Sequence, residues 1–359
     1  MNPTKHDGFL DGLRGIAILI VLAAHGPVLP WETPFLGRCG VYLFFVLSAF
    51  LLTRQLCWSG LNIEIVTRYF LARIFRIYPI FIPVLLYEVL VGFDFVHRMP
   101  IDLAWRHLTL REGVFVYWTI VVEFQYYFAI PVLVGAFLLI GRKRWPISLA
   151  LALVLLVLSL RHTRLLGMQD AVMNNAWLYF PSFLFGSVAG IWAANAERIR
   201  LPLWLPLAAL GALWLSLPNG FQHIWQVFTD RPLDLDAFFP LHSLQGALWT
   251  IVLLGGFQPF WRTLLENPVL RFYGRISYSL YLCHQLILSA IVVALNSLHL
   301  MYGWLFTGLY ILIPTGVAYL SYRHLEQPTI RFGKQFANWI FAGEPIYRSA
   351  QQMPRPAAE

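Results

Sequence analysis

Long apolar stretches recur along the chain, and short polar segments separate them. A bilayer-crossing helix needs about 20 predominantly apolar residues. Measured with that ruler, the pattern predicts about ten transmembrane helices, at 9–29, 39–56, 77–94, 117–140, 145–161, 176–195, 202–218, 241–258, 273–296 and 303–325. The fifth and seventh are short, which suits a tilt or a bend. Residues 10–29 read as a retained first helix rather than a cleaved leader, because the charged flank is weak and Ala23-Ala24-His25 is a poor cleavage site. The expected fold is an all-α integral membrane protein. Residues 1–343 form one transmembrane domain, and residues 344–359, with Pro345, Pro354 and Pro356, form a mobile cytoplasmic tail.

Composition excludes the alternatives. Hydrophobic residues make up 58% of the 359 positions and charged residues only 12%, against roughly 25% charged in soluble domains. Mean hydropathy is +0.64. A water-soluble enzyme and a disordered chain are both ruled out. The net charge of +8 sets orientation rather than nucleic-acid binding. With the N-terminus inside, nineteen of the 26 basic residues fall on the inner side and seven on the outer, so both termini are expected in the cytoplasm. Three isolated cysteines, Cys39, Cys57 and Cys283, offer neither a metal-ligand pair nor a disulfide framework, and no metal is expected.

Ionisable residues inside spans are costly and are functional candidates by default. The first span holds Asp11, Arg14 and His25 on one helical stripe, with Arg14 and His25 about 16 Å apart along the axis. An arginine at the cytoplasmic mouth suits a phosphate. A histidine three turns deeper is the side chain suited to proton transfer at neutral pH. Their separation matches the reach of an extended pantetheine arm, so coenzyme A anchored at the mouth would present a thioester to His25. The structural alternative pairs Asp11 with Arg14 and has His25 bonding a neighbouring helix. Arg73 and Arg76 share a face of the basic run 68–79 ahead of the third span, fitting either a phosphate or a positive-inside anchor. Glu123 lies within the fourth span, either orienting His25 and admitting an acceptor or pairing with an arginine. His284 lies within the ninth, lining an acyl channel or bridging helices. Trp105, His107, Trp118 and Trp225 lie toward the outer face, as an interfacial belt or as sugar-stacking groups.

Six motifs in order resemble the membrane acyltransferase-3 family. Leu10-Asp11-Gly12-Leu13-Arg14 followed by His25 is similar to its Arg-x10-His signature. Residues 40–50 resemble its second-helix motif, and Arg73-x-x-Arg76 with Tyr78-Pro79 its RxxR motif. Residues 118–127 resemble its Trp-Ser…Val-Glu-x-Gln-Phe-Tyr stretch, and residues 276–284 its Ser-Tyr-x-Leu-Tyr-Leu-x-His element. Glu326-Gln327-Pro328 resembles the Glu-x-Pro that ends the last span.

The resemblance implies a ten-helix O-acyltransferase of the bacterial inner membrane. Acetyl-CoA is the implied cytoplasmic donor, and a hydroxyl of a surface or exported glycan (lipopolysaccharide O-antigen, exopolysaccharide or a lipid-linked glycan) the acceptor. Arg14, Arg73 and Arg76 would hold the donor, and His25 would act as base with Arg14 and Glu123 in the catalytic group. Asp11, Tyr42, Ser48, Tyr278, Tyr281 and His284 would surround the tunnel. No fused SGNH esterase-like domain is expected, so the chain would act alone or with glycan biosynthesis or export partners. Two positions depart from the pattern: Tyr42 stands where the family has an acid, and Ala49 where it has Gly. If that acid orients the histidine, the Tyr42 hydroxyl, Asp11 or Glu123 must replace it. The competing readings are a transporter or flippase component of glycan export, and an acyltransferase with a small-molecule acceptor.

Overall fold

The computed structural model describes residues 7–26, 36–92, 97–140, 176–196, 199–217, 241–299 and 303–341, with isolated positions 154 and 157. Among these residues there is no β-strand. The helices are α1 (Gly8–His25), α2 (Leu36–Ser59), α3 (Ile63–Leu90), α4 (Ile101–Leu108), α5 (Trp118–Ile140), α6 (Ala176–Asn195), α7 (Trp204–Leu215), α8 (Leu241–Gly255), α9 (Pro259–Leu265), α10 (Pro268–Ser297), α11 (Gly303–Ser321) and α12 (Gln327–Ile340). A 3₁₀ turn at Phe115–Tyr117 leads into α5, and a π-turn at Tyr322–Glu326 joins α11 to α12. Among the described residues, six segments are long and apolar enough to cross a membrane, and α7 and α8 are shorter apolar helices.

Nine of the ten predicted windows fall on helices; the fifth, 145–161, lies outside the described residues apart from 154 and 157, as does the tail. Two boundaries differ for physical reasons. The basic run 68–79 is not a separate segment ahead of the third span. It is the first half of α3, which starts fourteen residues earlier than expected because the Asn62 side chain caps it, accepting from Ile65 N at 2.7 Å. Glu-x-Pro does not end the last helix either. The chain passes through the π-turn and continues as α12, with Pro328 in its first turn.

Internal prolines interrupt α3 (Pro79, Pro83), α5 (Pro131), α6 (Pro181) and α11 (Pro314). In a span each freed carbonyl needs another donor. Pro131 frees the carbonyl of Tyr127, and the Tyr69 hydroxyl from α3 donates to it at 3.1 Å. Helices α1 and α10 meet backbone to backbone. A Cβ on Gly15 would collide with the Leu270 carbonyl, and one on Gly274 with that of Asp11. Small residues permit such close approach between membrane helices. On the other side of α2, Phe45, Phe183 and Tyr126 stack in series, with centroids 4.4 and 4.2 Å apart.

Candidate active site

Five helices enclose one cavity. Its wall takes Arg14 from α1, Phe44, Ser48 and Leu51 from α2, and Arg73, Arg76 and Ile77 from α3. Thr119, Glu123 and Tyr127 come from α5, and Ser277, Tyr278 and Tyr281 from α10. Each set recurs at three- and four-residue spacing, the repeat that places side chains on one helical face. The non-atom space is about 780 Å³ with the open mouth included. The wall is basic and polar on one part and apolar on another, where Val41, Phe44, Phe45 and Leu47 lie.

The polar part has unspent hydrogen-bonding capacity. Arg14 Nε, Arg73 Nε and Ser277 Oγ are buried and have no hydrogen-bond partner in the protein. Buried donors of this kind are expensive unless a ligand satisfies them. Three guanidiniums on one wall select an anion, and their planar forks match phosphate. In the same lining, Glu123 is held tightly: Ser48 Oγ and the Tyr127 hydroxyl both donate to its Oε1 at 2.5 Å. The other hydroxyls brace the wall. Tyr278 donates to the Ile77 carbonyl at 2.8 Å and Tyr281 to the Val116 carbonyl at 3.1 Å, while Thr119 donates to the Tyr281 oxygen at 3.2 Å.

Of the residues predicted from sequence, Arg14, Arg73, Arg76, Glu123, Ser48, Tyr278 and Tyr281 converge on this cavity. Four do not line it. His25 is the last residue of α1 and is exposed. Its ring meets that of His284 edge-on at 5.2 Å, and His284 in turn lies 5.8 Å from Tyr281 on the wall. The two histidines thus form a short chain outward from the cavity. Tyr42 packs against Phe45 and Tyr179 and does not line the cavity. Asp11 lies within electrostatic range of Arg14 but off the wall.

The expected orienting group for His25 is also corrected. Glu123 is occupied by Ser48 and Tyr127, Tyr42 faces elsewhere, and Asp11 lies near the opposite end of α1. His25 Nδ1 instead lies 2.8 Å from the Val21 carbonyl of its own helix. A carbonyl only accepts, so Nδ1 carries a hydrogen, and in the neutral ring the lone pair is on Nε2. His284 is fixed the same way, through Nδ1 to the Tyr281 carbonyl at 2.7 Å, and its buried Nε2 has no protein partner. The sugar-stacking reading loses two residues: Trp118 is buried against Tyr179 at 4.8 Å, and His107 is fully buried. Trp105 is exposed, and Trp225 lies outside the described residues.

Sequence reasoning gave no role to Thr119, Tyr127 or Ser277. Tyr127 was findable, since it sits four residues after Glu123 on one helix face. Among the described residues, no cluster of three His, Cys, Asp or Glu side chains could hold a metal.

Two Staphylococcus aureus proteins, from strains COL and MRSA252, both carry the name "Putative O-acetyltransferase". Each is 25% identical over 369 aligned residues, which cover 92% of this chain. The chain spans 58% of the length of these curated relatives. No solved structure matches it. The acyltransferase-3 family model, described as an acyltransferase domain, matches residues 7–323 and so takes in every residue of the cavity wall: the chain belongs to the acyltransferase-3 family.

Proposed function

We propose that this chain is a membrane O-acyltransferase. It moves an acetyl group from cytoplasmic acetyl-CoA to a hydroxyl of a surface or exported glycan, at the outer face of a bacterial inner membrane. The observation that carries this reading is the convergence of Arg14, Arg73 and Arg76 on one cavity, where the Nε atoms of Arg14 and Arg73 are buried and without a protein partner. Those nitrogens fit the phosphates of the donor. The apolar part of the wall fits its arm. Bound there, the donor supplies a thioester carbonyl activated for acyl transfer.

The chain's own residues do the rest. The three arginines neutralise the phosphates and fix the position of the donor, which is where much of the rate gain of a two-substrate reaction arises. His25 accepts the proton of the acceptor hydroxyl at Nε2, the nitrogen left free by the Val21 carbonyl; such general-base assistance contributes about 10²–10⁴-fold. His284, its tautomer fixed and its Nε2 unspent, abuts His25 on the side facing the cavity. Glu123, braced by two hydroxyls, supplies a fixed negative charge in the same lining as the arginines. The positive-inside distribution of Lys and Arg supports the cytoplasmic placement of the arginine end.

The test compares surface glycans by mass spectrometry from a deletion strain, the same strain with the wild-type chain, and the same strain with His25→Ala. Acetylated glycan only in the wild-type-complemented strain is the expected result. Full acetylation by His25→Ala moves the base to another residue. No glycan difference in any strain points to a small-molecule acceptor or to transport.

A further inference from the structure

Glu326 is 2% exposed, although the residues just before it, Arg323, His324 and Leu325, are all exposed. It is the last residue of the π-turn between α11 and α12. A π-turn carries one more residue than the flanking α-helix, so the chain beyond it is rotated by about 100° from its uninterrupted position. The turn delivers a carboxylate into the bundle, against α3 and α10. There Ser279 Oγ, on α10, donates to Oε2 at 2.9 Å. A buried carboxylate also needs cations, and those in electrostatic range are Arg76 and Arg14. These two guanidiniums are also in range of each other. Both line the cavity, whereas Glu326 does not, so the carboxylate stands behind them.

We propose that Glu326 is a positioning residue. Its carboxylate, oriented by Ser279, holds the Arg14 and Arg76 guanidiniums side by side against their mutual repulsion and so presents two forks to one phosphate-bearing ligand. This rests on the donor-site reading above. Removing the carboxylate has two opposed effects: it makes the cavity more positive, and it frees two like charges to move apart. Positioning dominates because phosphate recognition by arginine depends on fork geometry, not on charge alone.

The experiment titrates coenzyme A into the purified full chain in nanodiscs, by calorimetry, for the wild type, Glu326→Gln, Glu326→Asp, Ser279→Ala and Arg76→Gln. The melting temperature of each variant is recorded. Glu326→Gln keeps the shape and an acceptor for Ser279, so it should melt with the wild type while Kd rises about tenfold; Ser279→Ala should raise it about threefold. Glu326→Asp should fall between the wild type and the glutamine variant. An unchanged Kd in Glu326→Gln overturns the proposal, and a tighter one shows that the carboxylate competes with the ligand instead. Should Glu326→Gln melt early, Ser279→Ala decides, and wild-type affinity there overturns the proposal. Arg76→Gln separates the two claims. Wild-type affinity in that variant removes the donor-site reading and this proposal together, while a loss there beside a normal Glu326→Gln removes this proposal alone.

Discussion

Glu123 shows how much one half-buried charge depends on its neighbours. Two hydroxyls from different helices converge on a single carboxylate oxygen, and a hydrogen bond to a charged group is worth about 1.5–3 kcal/mol. Tyr127→Phe and Ser48→Ala should each lower the acetylation rate by about tenfold in membranes with matched protein levels. The double variant should cost less than the product of the singles, because both act through one carboxylate. Strictly multiplicative losses would mean that the hydroxyls act separately. At this scale the sequence is most legible where charge is out of place. Arg14 and Glu123 stand out because an apolar helix has no cheap use for them, and Arg73 and Arg76 because they share one face of a basic run. Hydroxyl partners are less visible, since serines and tyrosines are ordinary in membrane helices and their direction depends on which helices meet. Glu326 is hidden for a different reason: beside Pro328 it reads as punctuation, and only the hydrogen-bond shift of the π-turn brings it inward.

Among the elements, α4 and the loop after it set a pH limit. His107 is fully buried outside the spans, with Nδ1 bound to the Glu112 carbonyl at 2.7 Å and Nε2 without a partner. Burial pushes its pKa below the usual histidine value. The folded state therefore binds fewer protons than the unfolded one as pH drops below about 6.5. The contribution of the neutral ring is complete above that pH and is lost as pH falls toward the lowered folded pKa, by at most about 1.4 kcal/mol per pH unit. Melting curves in detergent between neutral and mildly acidic pH should show the loss, and His107→Gln should flatten it; an unchanged slope in that variant would assign the loss to other groups. Helix positions are largely readable from the sequence because span length is set by the bilayer. The start of α3 is not, since its first turns are amphipathic and look like an inner-surface anchor. The short α4 and α9 fall below the length that the ruler detects.

For the whole molecule, the contact of α1 with α10 decides what can move. Gly274→Leu should cost most of the folded protein recovered in detergent, because its side chain would meet the Asp11 backbone, which cannot yield as a flexible side chain would. A normal yield would show that the two helices can separate. As built, they cannot slide or part without losing backbone contact, so Arg14, Tyr278 and Tyr281 belong to one rigid half of the cavity. The opposite half rests on α3 and α5, whose hydrogen-bond ladders are broken at Pro79, Pro83 and Pro131. If the cavity holds the acyl donor as proposed, exchange of a spent donor for a fresh one is expected to be a one-sided motion: a fixed jaw formed by the first and tenth helices, and a jointed one that swings against it.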